Sequence, residues 1–165
     1  MSQAVACILG KYATREVRVG DCIFDVVAYN KKKKSFRLVE CKLSQTVTGI
    51  GKAFGQLAAY SATIATRADE FLDAYSQRFQ VPMPLGEWME ATDNYRRFNI
   101  DFCVALTHKA CREKLEWLRA MKKVLPDVGI IRVKPDGRCS QHIWRGKIKD
   151  AEVTKASTIA VKIVR

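Results

Sequence analysis

Cys22-Ile23-Phe24-Asp25-Val26-Val27-Ala28-Tyr29 and Ser35-Phe36-Arg37-Leu38-Val39-Glu40-Cys41-Lys42-Leu43 are two β-branched and aromatic runs, separated by Asn30 and the lysines from Lys31 to Lys34. Apolar runs on either side of so polar a break read as a β-hairpin with the lysines at its turn. Counting outward from a turn centred between Lys32 and Lys33 puts Asp25 directly opposite Glu40, their Cβ atoms roughly 5 Å apart. Side chains alternate faces along a strand, so Glu40 and Lys42 share one face while Val39, Cys41 and Leu43 take the other. Asp25, Glu40 and Lys42 are therefore expected to form one small cluster.

Ionised groups inside an apolar run are costly unless something pairs or ligates them. Two carboxylates facing each other repel, and they stay close and charged only with a cation between them. Oxygen donors favour Mg²⁺, with Mn²⁺ as a substitute. Such an ion on a phosphate oxygen polarises the phosphorus and acidifies a bound water, and an ammonium such as that of Lys42 can stabilise developing charge or position the nucleophile. The cluster thus points to phosphodiester hydrolysis. A solvated Glu40–Lys42 pair on a surface hairpin is the alternative, but the apolar flanks on both faces argue against it.

Beyond the hairpin, Ile50, Phe54, Leu57 and Ile64 recur at helical spacing between Thr46 and Thr66 and predict a helix with that stripe inward. Lys52, Gln56 and Tyr60 fall on a second stripe at four-residue steps. The helix begins only a few residues after Lys42, so this stripe can face the charged cluster. Gly49, Gly51 and Gly55 are expected to let a backbone approach closely.

Asp25, then Glu40-Cys41-Lys42, then Gly55-Gln56-Leu57-Ala58-Ala59-Tyr60 together resemble the PD-(D/E)xK nuclease superfamily, and the glutamine–tyrosine helix is similar to that of its RecB-like and Holliday-junction-resolvase-like branches. The resemblance covers residues 21 to 60. It implies an α/β fold, a restriction-endonuclease-like central mixed β-sheet flanked by helices, and a Mg²⁺-dependent endonuclease acting on DNA. It further implies that Asp25 and Glu40 ligate the metal with help from the Cys41 carbonyl, that Lys42 assists the attacking water, that Gln56 orients the site, and that Tyr60, with Lys52 on its stripe, contacts the nucleic-acid backbone. Phe24 stands where the family has proline, and Asp21 is a rival to Asp25 that would pair one step past Lys42. Where many members bring a glutamate from a first helix, the helix expected here over Ser2 to Tyr12 offers Gln3, and Glu16 lies too near the following strand. A nucleic-acid-binding domain that has lost cleavage is therefore the alternative function, and a basic protein used in protein or RNA assembly a third.

The remaining sequence is expected to follow the same outline: a strand from Phe102 to Leu106, a helix from Cys111 to Leu125, a strand from Val128 to Val133 turning at Pro135-Asp136-Gly137, and an edge strand over Thr158 to Val164. A helix near Ala68 to Phe79 and a short one near Glu87 to Thr92, separated by Val81-Pro82-Met83-Pro84-Leu85-Gly86, read as a helical insertion over about residues 68–98. By analogy such an insertion holds substrate or a second copy of the chain, a homodimer.

Composition agrees. The 165 residues suit one domain spanning 1–165. With 29 basic against 17 acidic residues and a net charge of +12, a polyanionic partner is favoured, and nucleic acid is the obvious one. Six cysteines without C-x-x-C spacing argue against zinc and for a reducing, cytoplasmic setting. No stretch reads as a signal peptide or membrane span. His108 and His142 read as structural, Tyr95-Arg96-Arg97-Phe98 as a strand lead-in, and Trp88, Trp117 and Trp144 as core or interface anchors.

Overall fold

The two runs pair as an antiparallel hairpin in the computed structural model of the chain, which describes residues 1–30, 33, 35–79, 90–92, 95–134, 147–148, 151–152 and 159–164. Strand β2 (Cys22–Asn30) meets β3 (Ser35–Lys42) from Asn30↔Ser35 to Val26↔Val39, the register expected from a turn between Lys32 and Lys33. Ahead of them, helix α1 (Ser2–Leu9) leads into β1 (Ala13–Val19), which pairs antiparallel with β2. The first helix is shorter than expected because Gly10, at φ +93°, ends it and the chain turns at once into the strand. Val19↔Cys22 closes β1 and β2 around Gly20 and Asp21, and Gly20, at φ +55°, sits where a Cβ would run into the Arg67 guanidinium. Glycine takes that left-handed conformation without the strain a side chain would bring.

Helix α2 (Val47–Thr66) starts at Thr46, whose Oγ1 accepts the Gly49 N–H at 3.1 Å. The expected inward stripe is buried, and Ala53 and Tyr60 join it. Among the helix glycines only Gly49 makes a close approach, since a Cβ there would collide with Ser44; Gly51 meets nothing nearer than Trp117 at 4.0 Å, and Gly55 faces open space. Helix α3 (Ala68–Ser76) follows directly and buries Phe71, Leu72 and Tyr75.

The chain returns through β4 (Glu90–Thr92) and the long β5 (Tyr95–Thr107). The helix expected near Glu87 to Thr92 is therefore a strand over its described part, paired with the start of β5, and the Pro-rich segment lies outside the described residues. β5 extends well before Phe102 because partners on both edges satisfy its backbone, although Arg96, Arg97, Asn99 and Asp101 break the apolar run there. It pairs in parallel with β3 over 99–106 and, on its other edge, with β6 (Gly129–Val133) over 103–107 and antiparallel with β9 (Ile159–Val164) over 95–100. The expected helix from Cys111 to Leu125 is two, α4 (His108–Glu113) and α5 (Leu115–Val124), because Lys114 takes a non-helical conformation between them. A small ribbon, β7 (Lys147–Ile148) with β8 (Ala151–Glu152), completes the described elements. The turn at 135–137, Trp88, Cys139, His142 and Trp144 lie outside the described residues.

The result is an α/β architecture around one mixed sheet. Val27, Leu38, Val104 and Ile130 face α2, α3 and α5, while Val26, Val39, Cys103, Ala105 and Ile131 face Val5 of α1. Of the expected helical insertion the described residues show helix over Ala68–Ser76, and this α3 belongs to the main core: Phe71 stacks its ring edge against Phe36 and packs on Phe24, both centroids at 5.3 Å. Inside the sheet, Arg37 and Asp101 are register partners across β3 and β5 and form a 2.9 Å ion pair, with Asp101 fully buried. No helix among the described residues is long and apolar enough to cross a membrane.

Two expectations follow for stability. Replacing Arg37 by methionine removes a charge partner from buried Asp101 and should cost about 3 kcal/mol in urea denaturation. Gly55→Ala, which adds a methyl group into open space on a helix, should raise stability by about 0.5–1 kcal/mol in the same assay.

Candidate active site

The β1–β2 ladder pairs Arg15 with Val26 and Val17 with Phe24 but skips Glu16 and Asp25. Glu16 takes φ +54°, a left-handed conformation uncommon for a side-chain-bearing residue, and its carbonyl accepts the Arg78 guanidinium at 3.0 Å. On the other edge the β2–β3 pairing ends at Val26. Asp25 is thereby left out of both ladders. Its backbone N–H turns to the Tyr60 hydroxyl at 3.3 Å, and its carboxylate Oδ2 accepts the Cys41 N–H at 2.8 Å. Irregular strand geometry of this kind re-aims a side chain at the cost of regular pairing.

Glu40 sits on the α2 face of β3 and is 1 % exposed. The Tyr60 hydroxyl donates to its Oε2, and the Lys42 ammonium lies 2.5 Å from its Oε1. Burial raises the Glu40 pKa and repulsion from Asp25 adds to this, while the hydrogen bonds from Lys42 and Tyr60 oppose it. The net shift is upward: burial outweighs the two partners, and the cluster is poised toward the protonated acid more than an exposed glutamate would be. Lys42, two residues on and on the same face, keeps a quarter of its side chain in solvent and joins the buried acid to the surface.

Tyr60 is the side chain that organises the cluster. Its oxygen also lies 2.9 Å from the Ile23 carbonyl, and its ring packs on Phe24 with centroids 4.5 Å apart. At 2 % exposure, Tyr60 has its hydroxyl engaged by Glu40, the Ile23 carbonyl and the Asp25 N–H, so that group serves the strands here, where the resemblance implied a nucleic-acid contact. The phenol is kept protonated by burial and by the Glu40 carboxylate beside it. The sequence pattern placed Tyr60 on the right stripe; its length, which carries the hydroxyl under the helix to the strands, is what makes it a support for the acid.

Gln56 and Lys52, on the same stripe, are exposed. Gln56 lines an open cavity of about 460 Å³ together with Asp21, Ile23, Tyr60, Thr63 and Arg67. Asp21 belongs to this cavity's rim, in the exposed β1–β2 turn, and does not take the place of Asp25. Cys41 points to the other face, against the α1 layer, and its thiol is pushed up to about 12 by burial and by the two carboxylates, so it stays neutral. Its backbone N–H is what reaches the cluster, donating to Asp25 Oδ2. Gln3 is exposed on α1, donates to Cys7 Sγ at 3.5 Å, and lies on the sheet face opposite Glu40.

Among the described residues no group of three or more His, Cys, Asp or Glu side chains is placed to hold a metal ion. The acids gathered here, Asp25 and Glu40, are hard oxygen donors, which suit Mg²⁺ or Mn²⁺ in chemistry.

Removing the Tyr60 hydroxyl leaves Glu40 Oε2, the Ile23 carbonyl and the Asp25 N–H short of a partner while the ring still fills its place. Tyr60→Phe should therefore lose about 2 kcal/mol in chemical denaturation; an unchanged midpoint would show that Glu40 does not depend on it. Comparison of the chain with protein-family models, with curated proteins and with solved structures finds no match.

Proposed function

We propose that this chain is a Mg²⁺-dependent nuclease that hydrolyses phosphodiester bonds, with DNA as its substrate, on a restriction-endonuclease-like variant of the mixed sheet. The observation that carries this reading is the placement of Glu40: a carboxylate nearly excluded from water, bracketed by Tyr60 and Lys42, beside an Asp25 freed from its strand ladders. A structural ion pair alone does not account for the second acid, whose repulsion makes the cluster less stable without a cation.

In this reading Asp25 and Glu40 hold the divalent cation, with the Cys41 carbonyl as a third oxygen. When bound, the ion polarises the phosphodiester and makes the attacking water more acidic. Lys42, hydrogen-bonded to Glu40 and open to solvent, offers its ammonium to the negative charge that develops on the phosphate oxygens. Tyr60 keeps the Glu40 carboxylate in one orientation. Gln56 and Lys52 on the exposed side of α2 bind and align the strand, aided by the chain's net charge of +12.

A second reading has its own support. Both Glu40 oxygens are already engaged, and Gln3 does not bring an acid to the cluster. A nucleic-acid-binding domain that does not cut would keep Glu40 and Lys42 as a fixed pair.

Calorimetry with Mn²⁺ separates the two. The wild type should bind one ion, and Asp25→Ala and Glu40→Ala should each abolish the signal. With Mg²⁺ and plasmid, single-stranded or branched DNA, Lys42→Ala should retain DNA binding while cleavage falls at least about 100-fold, the loss of one charge-stabilising group. No metal binding by the wild type, together with intact DNA binding, would favour the second reading.

A further inference from the structure

A second cavity, of about 320 Å³, opens where the parallel strands β3, β5 and β6 all end. Its volume is at the small end of ligand pockets, about 300–1,000 Å³. In open α/β sheets the carboxyl ends of parallel strands are where ligands bind, because the loops there diverge and leave a crevice. The cavity lies next to the Asp25–Glu40–Lys42 cluster but is separate from it: Leu43, one residue past Lys42, lines it, and Asp25, Glu40 and Lys42 do not.

Its chemistry is divided. Ala4, Leu43 and Val133 give it an apolar floor, and Leu43 is 70 % exposed, unusual for a leucine beside a core. His108, Lys109 and Lys134 give it a basic rim, and no carboxylate among the described residues lines it. Among the described residues Lys109 has a long 3.8 Å pairing with exposed Glu113, which holds it weakly. Lys134 is exposed, with no acidic partner among the described residues. The His108 Nδ1 is shielded from solvent without a protein hydrogen-bond partner, in surroundings that Arg132, Arg112 and Lys134 make positive. Buried polar atoms are ordinarily satisfied, so the ring's environment favours an incoming acceptor with negative charge.

We propose that this cavity binds a nucleotide, its base on the floor of Ala4, Leu43 and Val133 and its phosphate between His108, Lys109 and Lys134. The apolar floor is what a base needs and a bare anion does not; the rim is what a phosphate needs and an apolar ligand does not. The assignment of the ligand class rests on the nucleic-acid reading of the neighbouring cluster. A strand whose nucleotide sits here passes over the end of β3 beside Lys42, so the cavity would fix which phosphodiester is presented to the metal ligands.

The test uses the full chain in EDTA, so that neither metal binding nor cleavage is required. Calorimetry with deoxyadenosine 5′-monophosphate should show saturable binding, at least about tenfold weaker for deoxyadenosine, and about tenfold weaker in Lys134→Ala, the loss of one charge-assisted contact. Because Lys134 is exposed, its replacement leaves the fold intact, and Lys42→Ala should bind the nucleotide as the wild type does. A 5′-phosphorylated tetranucleotide, run in parallel, identifies the source: tighter binding than the mononucleotide assigns the site to a strand, weaker binding to a free nucleotide. Binding equal for nucleoside and nucleotide, binding lost in Lys42→Ala but kept in Lys134→Ala, or no binding at all would each overturn the proposal, even if Mn²⁺ still binds at Asp25 and Glu40. Nucleotide binding here without any Mn²⁺ site would instead sink the nuclease reading and leave this one standing.

Discussion

The Tyr60 hydroxyl is a single group on which the helix above the sheet and both strands of the hairpin converge. One phenol oxygen donates to Glu40 on β3, accepts from the Asp25 N–H on β2, and lies within hydrogen-bonding distance of the Ile23 carbonyl. It reaches them because Ile50, Phe54, Leu57 and Ile64 press α2 onto the sheet and because Phe24 supports the tyrosine ring. Apolar packing thus sets the distance, and a polar contact uses it.

That contact makes sense of a charge where the sequence should be apolar. A carboxylate at 1 % exposure would ordinarily take up a proton. Here a phenol and an ammonium oppose that tendency without cancelling it, and the second carboxylate works against them. Arg37 and Asp101, on the opposite face of the sheet, show a contrasting solution: one acid and one base in direct register, joined by a 2.9 Å ion pair. The two acids around Glu40, against the single acid at Asp101, are what distinguish the two ion pairs within the same sheet.

Position in the sheet matters as much as pairing. β3, β5 and β6 run parallel and end together, so Lys42, Leu43, Thr107 and Val133 come to one edge although they are far apart in sequence. Alternation then sends Lys42 to one face and Leu43 to the other. One strand end therefore serves both the acidic cluster under α2 and the basic cavity beside α1.

Much of this was legible in the chain itself. The lysine-rich turn fixed the register, and through it the faces of Val39, Glu40, Cys41 and Lys42, because a strand's period of two leaves no choice once one face is buried. The period of α2 likewise followed from its apolar stripe. What the sequence could not reveal depended on contacts between distant residues. Nothing local marks Glu16 as left-handed or Asp25 as excluded from its ladders; an arginine from beyond α3 and a tyrosine from α2 impose both. Tyr60 was recognisable as a stripe residue, but whether its hydroxyl faces solvent or the strands is decided by how deeply α2 settles on the sheet. The length of β5, the strand in place of a helix at Glu90–Thr92 and the break at Lys114 have the same origin: edge partners and core contacts, supplied by remote segments, outweigh the short-range pattern. Local periodicity determines which face a residue occupies, and only the packing of those faces decides what it meets there.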